Sequence, residues 1–313
     1  MAFMRRINPA IFGTILFIVL LFAVGALFAD RFATVNNMVQ VYRYSAALMF
    51  VSLAQTIVVL IGGIDLSIGA MISLTAVFTS GLINGQPNLV WPVVIGILFF
   101  GIILGLINGS LITFLRVSPL IITLGMAAIL QGIALLYTMA PIGSVPPEFQ
   151  NFAFGDVAGI PIGPTVAILL LVCTGLILKY TRFGRQVYAV GGSPTSAKLV
   201  GLSVQRITLA AFAFSGFAAA LAAVYLVSLL GTGNPLMGQG YELTSITPVV
   251  VGGTSLSGGK GGVWGTLFGV FLVVLLNNVL NFLGISTFYQ WVAQGLIILI
   301  AVSIFAERKE ALA

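Results

Sequence analysis

Long apolar runs recur along the whole chain, separated by short polar or glycine-rich breaks. The runs are continuous, not alternating, which is the pattern of helices in an apolar surrounding and not of half-exposed strands. Most approach the ~20 residues that cross a bilayer as a helix. They predict spans at 10–29, 38–61, 66–84, 91–114, 119–139, 163–179, 207–230, 242–256, 263–283 and 288–306. The eighth is short, the length of a half-helix or a re-entrant segment. The run from Ile11 to Ala29 is longer than the 7–15 apolar residues of a signal peptide and reads as an uncleaved first span. The expected fold is therefore an all-α integral membrane protein with about ten transmembrane helices. No break leaves room for a soluble domain, so residues 1–313 read as a single polytopic transmembrane domain.

Composition agrees with the pattern. The chain is 59% hydrophobic and 6% charged, against about 25% charged in a soluble domain. Placing the N-terminus inside puts Arg5, Arg6, Arg116, Lys179, Arg182, Arg185, Lys198, Arg206, Lys260, Arg308 and Lys309 on one face, and only Arg31 and Arg43 on the other. Positive charge gathers on cytoplasmic loops, so both termini are expected in the cytoplasm. The net charge of +6 thus reports orientation and not a nucleic-acid partner. Histidine is absent, which removes imidazole from any relay or metal site, and the lone Cys173 forms no intrachain disulfide.

Glycines mark two kinds of feature. Gly101, Gly105 and Gly109 are spaced by four, as are Gly261, Gly265 and Gly269. This small-xxx-small pattern lets helix backbones approach closely, and intramolecular packing is its plain reading. Gly62-Gly63-Ile64-Asp65-Leu66-Ser67-Ile68-Gly69 forms a sharp turn at a membrane edge. There Asp65 either caps the third helix or meets a basic group or a partner protein. Glu242, after Gly238 and Gly240, repeats the capping logic at the eighth span. Residues 59–69 resemble 249–259, either as an internal repeat or as two solutions to one turn problem.

Candidate chemistry is sparse. Gly253–Lys260 looks like a phosphate loop, but the first glycine position holds Thr254 and Gly261 follows the lysine, so the motif fails. No catalytic constellation or metal cluster is present, and every Asp and Glu lies near a predicted span end. Mid-membrane polarity is neutral: Gln55, Asn108, Thr123, Gln131, Asn277, Asn278, Asn281 and Gln294. Such groups exchange hydrogen bonds with a hydroxylated solute or with one another. Asn277 and Asn281 share a helix face and are the favoured lining of a substrate path, with Gln55, Asn108, Thr123 and Gln131 as further candidates. In the longest basic loop, Ser193 is a good N-cap, Pro194 suits the first helical position and Gly201 suits the position after the last. The helix they bracket, 194–200, is too short to persist alone. A membrane surface or a groove on a partner must hold it.

These residues together resemble the permease subunit of ribose-type ABC sugar importers, within the branched-chain amino acid and ribose permease superfamily. Gly62–Gly69 is similar to that family's Gly-Gly-Ile-Asp-Leu-Ser-Val-Gly. Thr181–Gly201 is similar to its Thr-x-Phe-Gly-x-x-x-Tyr-Ala-x-Gly-Gly-Asn segment, with Ser193 for asparagine. Gly240-Tyr241-Glu242-Leu243 and Val250–Leu256 match its Gly-x-Glu-Leu and Gly-Gly-Thr-Ser-Leu segments, although Thr244-Ser245-Ile246-Thr247 stands where the family often has Asp-Ala-Ile-Ala. The resemblance implies a non-enzymatic subunit of the bacterial inner membrane that binds no cofactor itself. It also implies a cytoplasmic ATPase carrying ATP and Mg, a second permease copy or homologue, a periplasmic sugar-binding protein and a monosaccharide substrate. It places the ATPase contact on Ser193, Pro194, Ala197, Val200 and Gly201. The competing reading is a carrier or channel for a small polar solute that works without ATP.

Overall fold

The computed structural model of the protein describes residues 9–286, 288–292 and 295–297. In chain order the elements are α1 (Pro9–Phe28), α2 (Val35–Leu60), α3 (Ile68–Ile83), α4 (Val90–Leu115), α5 (Pro119–Tyr137), α6 (Pro147–Phe154), β1 (Asp156–Val157), β2 (Ile160–Pro161), α7 (Ile162–Tyr180), α8 (Arg182–Gly192), α9 (Pro194–Leu199), α10 (Val204–Leu230), α11 (Tyr241–Thr244), α12 (Ile246–Val251) and α13 (Val263–Phe282). The two strands form a small antiparallel pair, Asp156 opposite Pro161.

Seven of these helices, α1, α2, α4, α5, α7, α10 and α13, are long and apolar enough to cross a membrane. Two expected spans depart from that form. The third, expected over 66–84, begins only at Ile68 and has 16 residues. The eighth, expected over 242–256, is two short pieces, α11 and α12, preceded by irregular backbone. Gly240 takes a left-handed φ of 92° at the start of α11, and Pro248 lacks the N–H that would extend a helix backward from α12. The tenth expected span, 288–306, lies largely outside the described residues.

α2 is the central helix. Every residue from Ser45 to Leu60 is buried, as expected of a helix with no lipid-facing stripe. α7, α10, α12 and α13 pack around it. By contrast α1, α4 and α5 expose Leu20, Ile103, Ile121 and Leu124, faces suited to lipid. The ends of α2, α4 and α7 and the starts of α5, α10 and α13 share one face. It carries Arg116, Lys179, Arg182, Arg185, Lys198, Arg206 and Lys260, while Asp30, Glu148 and Asp156 belong to the other. Arg5, Arg6, Arg308 and Lys309 lie outside the described residues.

Both glycine stripes pack inside the chain. A Cβ on Gly101 would collide with the Gly216 carbonyl and one on Gly105 with the Phe212 carbonyl, so α4 and α10 touch backbone to backbone. Gly265 meets Gly252, just past the end of α12, and Gly269 meets Pro248 on α12 in the same way. Gly261, the first member of the second stripe, precedes α13 and has a φ of 116°, so it serves a turn and not a helix interface.

The α4–α10 contact yields a test. Gly105→Leu forces side-chain atoms into a carbonyl, and overpacking of this kind costs roughly 1–3 kcal/mol or more. The folded yield and melting temperature in detergent should fall. Gly96→Leu, on the same helix where a Cβ meets open space, should leave both near wild type.

Candidate functional site

The turn after α2 is built by ordinary helix-ending chemistry. Gly62 adopts a φ of 82°, and the Gly63 N–H donates to Val58 O at 2.9 Å. This is the Schellman ending, in which a left-handed glycine redirects the chain. The turn after α12 repeats it: Gly253 has a φ of 87° and the Thr254 N–H donates to Val249 O at 3.0 Å. The two turns also touch, through the Gly259 N–H donating to Leu60 O at 2.9 Å. The geometric match pairs Gly62 with Gly253, one residue out of register with the sequence resemblance of 59–69 to 249–259.

Beyond Gly63 the chain does not stay at the helix ends. Thr123 Oγ1 donates to Ile64 O and accepts from the Leu66 N–H. Asp65 is fully buried. Its Oδ1 accepts from the Ser67 N–H at 2.9 Å and from Ser67 Oγ at 2.6 Å, and its Oδ2 accepts from Ser215 Oγ at 2.6 Å. Asn108 Nδ2 donates to Ser67 Oγ at 2.8 Å. Ser215 lies about 17 Å along α10 and Asn108 about 10 Å from the end of α4 at a rise of 1.5 Å per residue. The Asp65–Ser67 segment therefore climbs well inside the bundle, and only Gly62 and Gly63 sit at the edge. Asp65 does not cap the first turn of α3, because Ser67 occupies the N-cap position with no side-chain cap bond. Nor does it meet a basic group among the described residues; it ties the start of α3 to α4 and α10 through hydroxyls.

The 231–240 segment descends beside α3. Gly238 lies against the Gly69 backbone, and Gly233 against Ala76. Glu242 accepts from the Gly240 N–H at 3.1 Å, and its carboxylate lies where a Gly69 Cβ would be. One carboxylate thus faces the positive ends of two interrupted helices, α3 and α11, a favourable placement for a negative charge.

A cavity of about 380 Å³ opens beside this junction. Tyr241 and Thr244 of α11 line it, and Asn277, Asn281, Gln290 and Trp291 line it toward the face opposite the basic one. Gln290 Nε2 donates to Asn281 Oδ1 at 2.6 Å. Asn278 also borders it, but its amide exchanges two 3.0 Å hydrogen bonds with Asn37 and locks α13 to α2. The remaining path candidates are elsewhere. Asn108 and Thr123 hold the Asp65 segment. Gln131 Nε2 donates to Pro235 O at 2.8 Å, tying α5 to the descending segment. Gln55 is fully buried on α2 with neither amide atom partnered among the described residues, and Gln294 lies outside those residues. The sequence reading did not include Ser215, Asn37 or Gln290, since lone polar residues in apolar runs carry no periodic signal, and it named Tyr241 only within the Gly240–Leu243 segment.

On the basic face, α8 packs under the end of α2, where Gly191 meets Leu60 O. Tyr188 Oη donates to Gly261 O at 3.0 Å, and burial raises its hydroxyl above the ordinary value, keeping it a neutral donor. α9 follows with Ser193 Oγ accepting from the Ser196 N–H and Gly201 at a φ of 81°. The side chain counted on for outward contact, Ala197, points inward and is 3% exposed, whereas Leu199 and Val200 are 84% and 75% exposed.

The sequence profile described as the branched-chain amino acid transport system permease component matches residues 37–302. The chain belongs to that family. With seven helices long and apolar enough to cross a membrane, it is a multi-pass membrane protein. Ribose import permease protein RbsC of Haemophilus influenzae is 37% identical over 292 residues, 91% of this chain and 90% of the relative. D-allose transport system permease protein AlsC of Escherichia coli is 34% identical over 295 residues, 94% and 90% of the two chains. Fructose import permease protein FrcC of Rhizobium meliloti is 35% identical over 309 residues, 95% and 85% of the two chains. No solved structure matches the chain.

The Asp65 cluster predicts a graded stability effect. Asp65→Ala leaves three buried donors without their acceptor, each costing roughly 1–3 kcal/mol. Asp65→Asn keeps one carbonyl oxygen and should lose less. Thermal unfolding in detergent should rank wild type above Asn and Asn above Ala; equal melting of all three would mean that the cluster does not hold the α3 start.

Proposed function

We propose that this chain is the permease subunit of an ATP-binding-cassette importer for a monosaccharide, placed in the bacterial inner membrane. The observation that carries the reading is the similarity over nine-tenths of the chain to permeases named for ribose import and D-allose transport. The amide-lined cavity supports it, since Asn277, Asn281 and Gln290 offer donors and acceptors to sugar hydroxyls without the cost of desolvating a charge. The basic face, with its seven described Lys and Arg residues and no described acid, is read as cytoplasmic. Residues 1–313 then form one ten-span unit with both termini inside, and a thiol placed at Ser196 of a Cys173→Ala background should label only from the cytoplasmic side.

In this reading the described conformation faces outward. The cavity opens away from the basic face, where the turns at 61–63, 191–192 and 258–259 close on one another. A cytoplasmic ATPase holding ATP and Mg seats α9, a second permease copy or homologue completes the path, and a periplasmic binding protein delivers the sugar. Because Gly191 abuts Leu60 O and the Gly259 N–H bonds the same carbonyl, a displacement of α8 and α9 acts directly on both turns. Sugar uptake into vesicles should require the ATPase and ATP; uptake by this chain alone would overturn the importer reading.

Two variants probe the parts. Replacing Asn277 and Asn281 together with Leu should cut uptake at least ~10-fold, because lost hydrogen bonds leave substrate hydroxyls unpaired, while the complex still assembles. Leu199→Asp with Val200→Asp should abolish co-purification of the ATPase and sugar-stimulated ATP hydrolysis without changing melting of the permease. These exposed positions are cleaner probes than Ala197, whose burial makes Ala197→Arg a folding mutation. Normal coupling in the double aspartate variant would remove α9 from the ATPase contact.

A further inference from the structure

A second cavity, of about 490 Å³, lies on the basic face between the end of α7, α8 and the start of α13. Gly175, Leu178 and Val263 form its apolar side, Trp264 and Tyr188 its aromatic side, and Lys179 and Arg185 its cationic side. Gly175 leaves the space that Trp264 fills: an added Cβ would sit 3.3 Å from the indole Cζ2. Lys179 and Arg185 are both exposed, and the Lys179 ammonium sits 5.0 Å from the centroid of the Tyr180 ring. None of the mechanism described above uses them.

The depth of the cavity narrows its occupant. Lys179 is the penultimate residue of α7 and Trp264 the second of α13, so both stand where membrane-crossing helices leave the hydrocarbon. Tryptophan at a span end marks the headgroup level. Paired cations beside it, opening onto apolar helix walls, match a phosphodiester joined to acyl chains and not a free polar solute. We propose that this cavity binds the headgroup of an anionic phospholipid, with Lys179 and Arg185 on the phosphate, Trp264 against the glycerol and the acyl chains lying along α7 and α13. The assignment stands whatever solute the chain moves.

The test is lipid retention by the purified full-length chain in detergent, read by native mass spectrometry after exposure to phosphatidylglycerol or phosphatidylcholine. Wild type should retain phosphatidylglycerol preferentially and melt higher with it. Each basic residue near a membrane surface contributes about a factor of five to anionic-lipid affinity, so Lys179→Gln with Arg185→Gln should lower phosphatidylglycerol retention roughly 25-fold. Lys198→Gln with Arg206→Gln removes the same charge from the same face outside the cavity and should retain the lipid within about twofold of wild type. Trp264→Ala should weaken retention with the charges intact, which separates a built site from general attraction. Equal loss in both double variants, or unchanged retention in the Lys179/Arg185 variant, would overturn the proposal. So would inorganic phosphate raising the melting temperature as much as the lipid does, which would make the cavity a phosphate site.

Discussion

Non-helical backbone inside an apolar bundle must find every hydrogen-bond partner within the protein. Two stretches of this chain meet that demand together: 61–67, which rises from the end of α2, and 231–240, which descends beside α3. Thr123 serves the backbone of Ile64 and Leu66, Asp65 and Ser67 serve each other and Ser215, and Gln131 serves Pro235. The glycines at 69 and 238 let the two segments lie in contact. The short lengths of α3, α11 and α12, the position of Glu242 and the place of the amide-lined cavity all follow from this pairing.

A buried carboxylate without a cation is an expensive group in such a setting. Asp65 is held by three hydroxyl or amide donors from its own turn and from α10, so the cost is offset by directional bonds that also specify where α3 begins. An apolar residue there would pack, but it would not select one register of α3 against α10. The requirement also explains why the chain spends serines on Ser67 and Ser215 in otherwise apolar surroundings.

The elements of the basic face meet at one carbonyl. Leu60 O receives the Gly259 N–H and abuts Gly191 of α8. Loops, the short α9 and the two Schellman turns therefore form a single packed layer beneath the interrupted spans. Small residues at each crossing make that layer thin, and a thin layer of backbone contacts transmits displacement more directly than long side chains do.

The continuous apolar runs determined the long helices, because a run of about 20 apolar residues has no other low-energy arrangement in lipid. The charge asymmetry grouped seven described Lys and Arg residues on one face, the spaced glycines announced the α4–α10 contact, and Ser193, Pro194 and Gly201 bracketed α9, since caps and left-handed glycines are local chemistry. Asn277 and Asn281 were legible as cavity residues because they share one helix face. The tertiary structure alone decided what Asp65 does, since its partner Ser215 is 150 positions away and Asn108, which holds Ser67, is 41 positions from that serine. It also decided that Asn108, Thr123 and Gln131 hold backbone instead of lining the cavity, that Asn278 is spent on Asn37, and that Ala197 points inward. A side chain's identity says which hydrogen bonds it can make; only the packing of distant helices says which ones it does make.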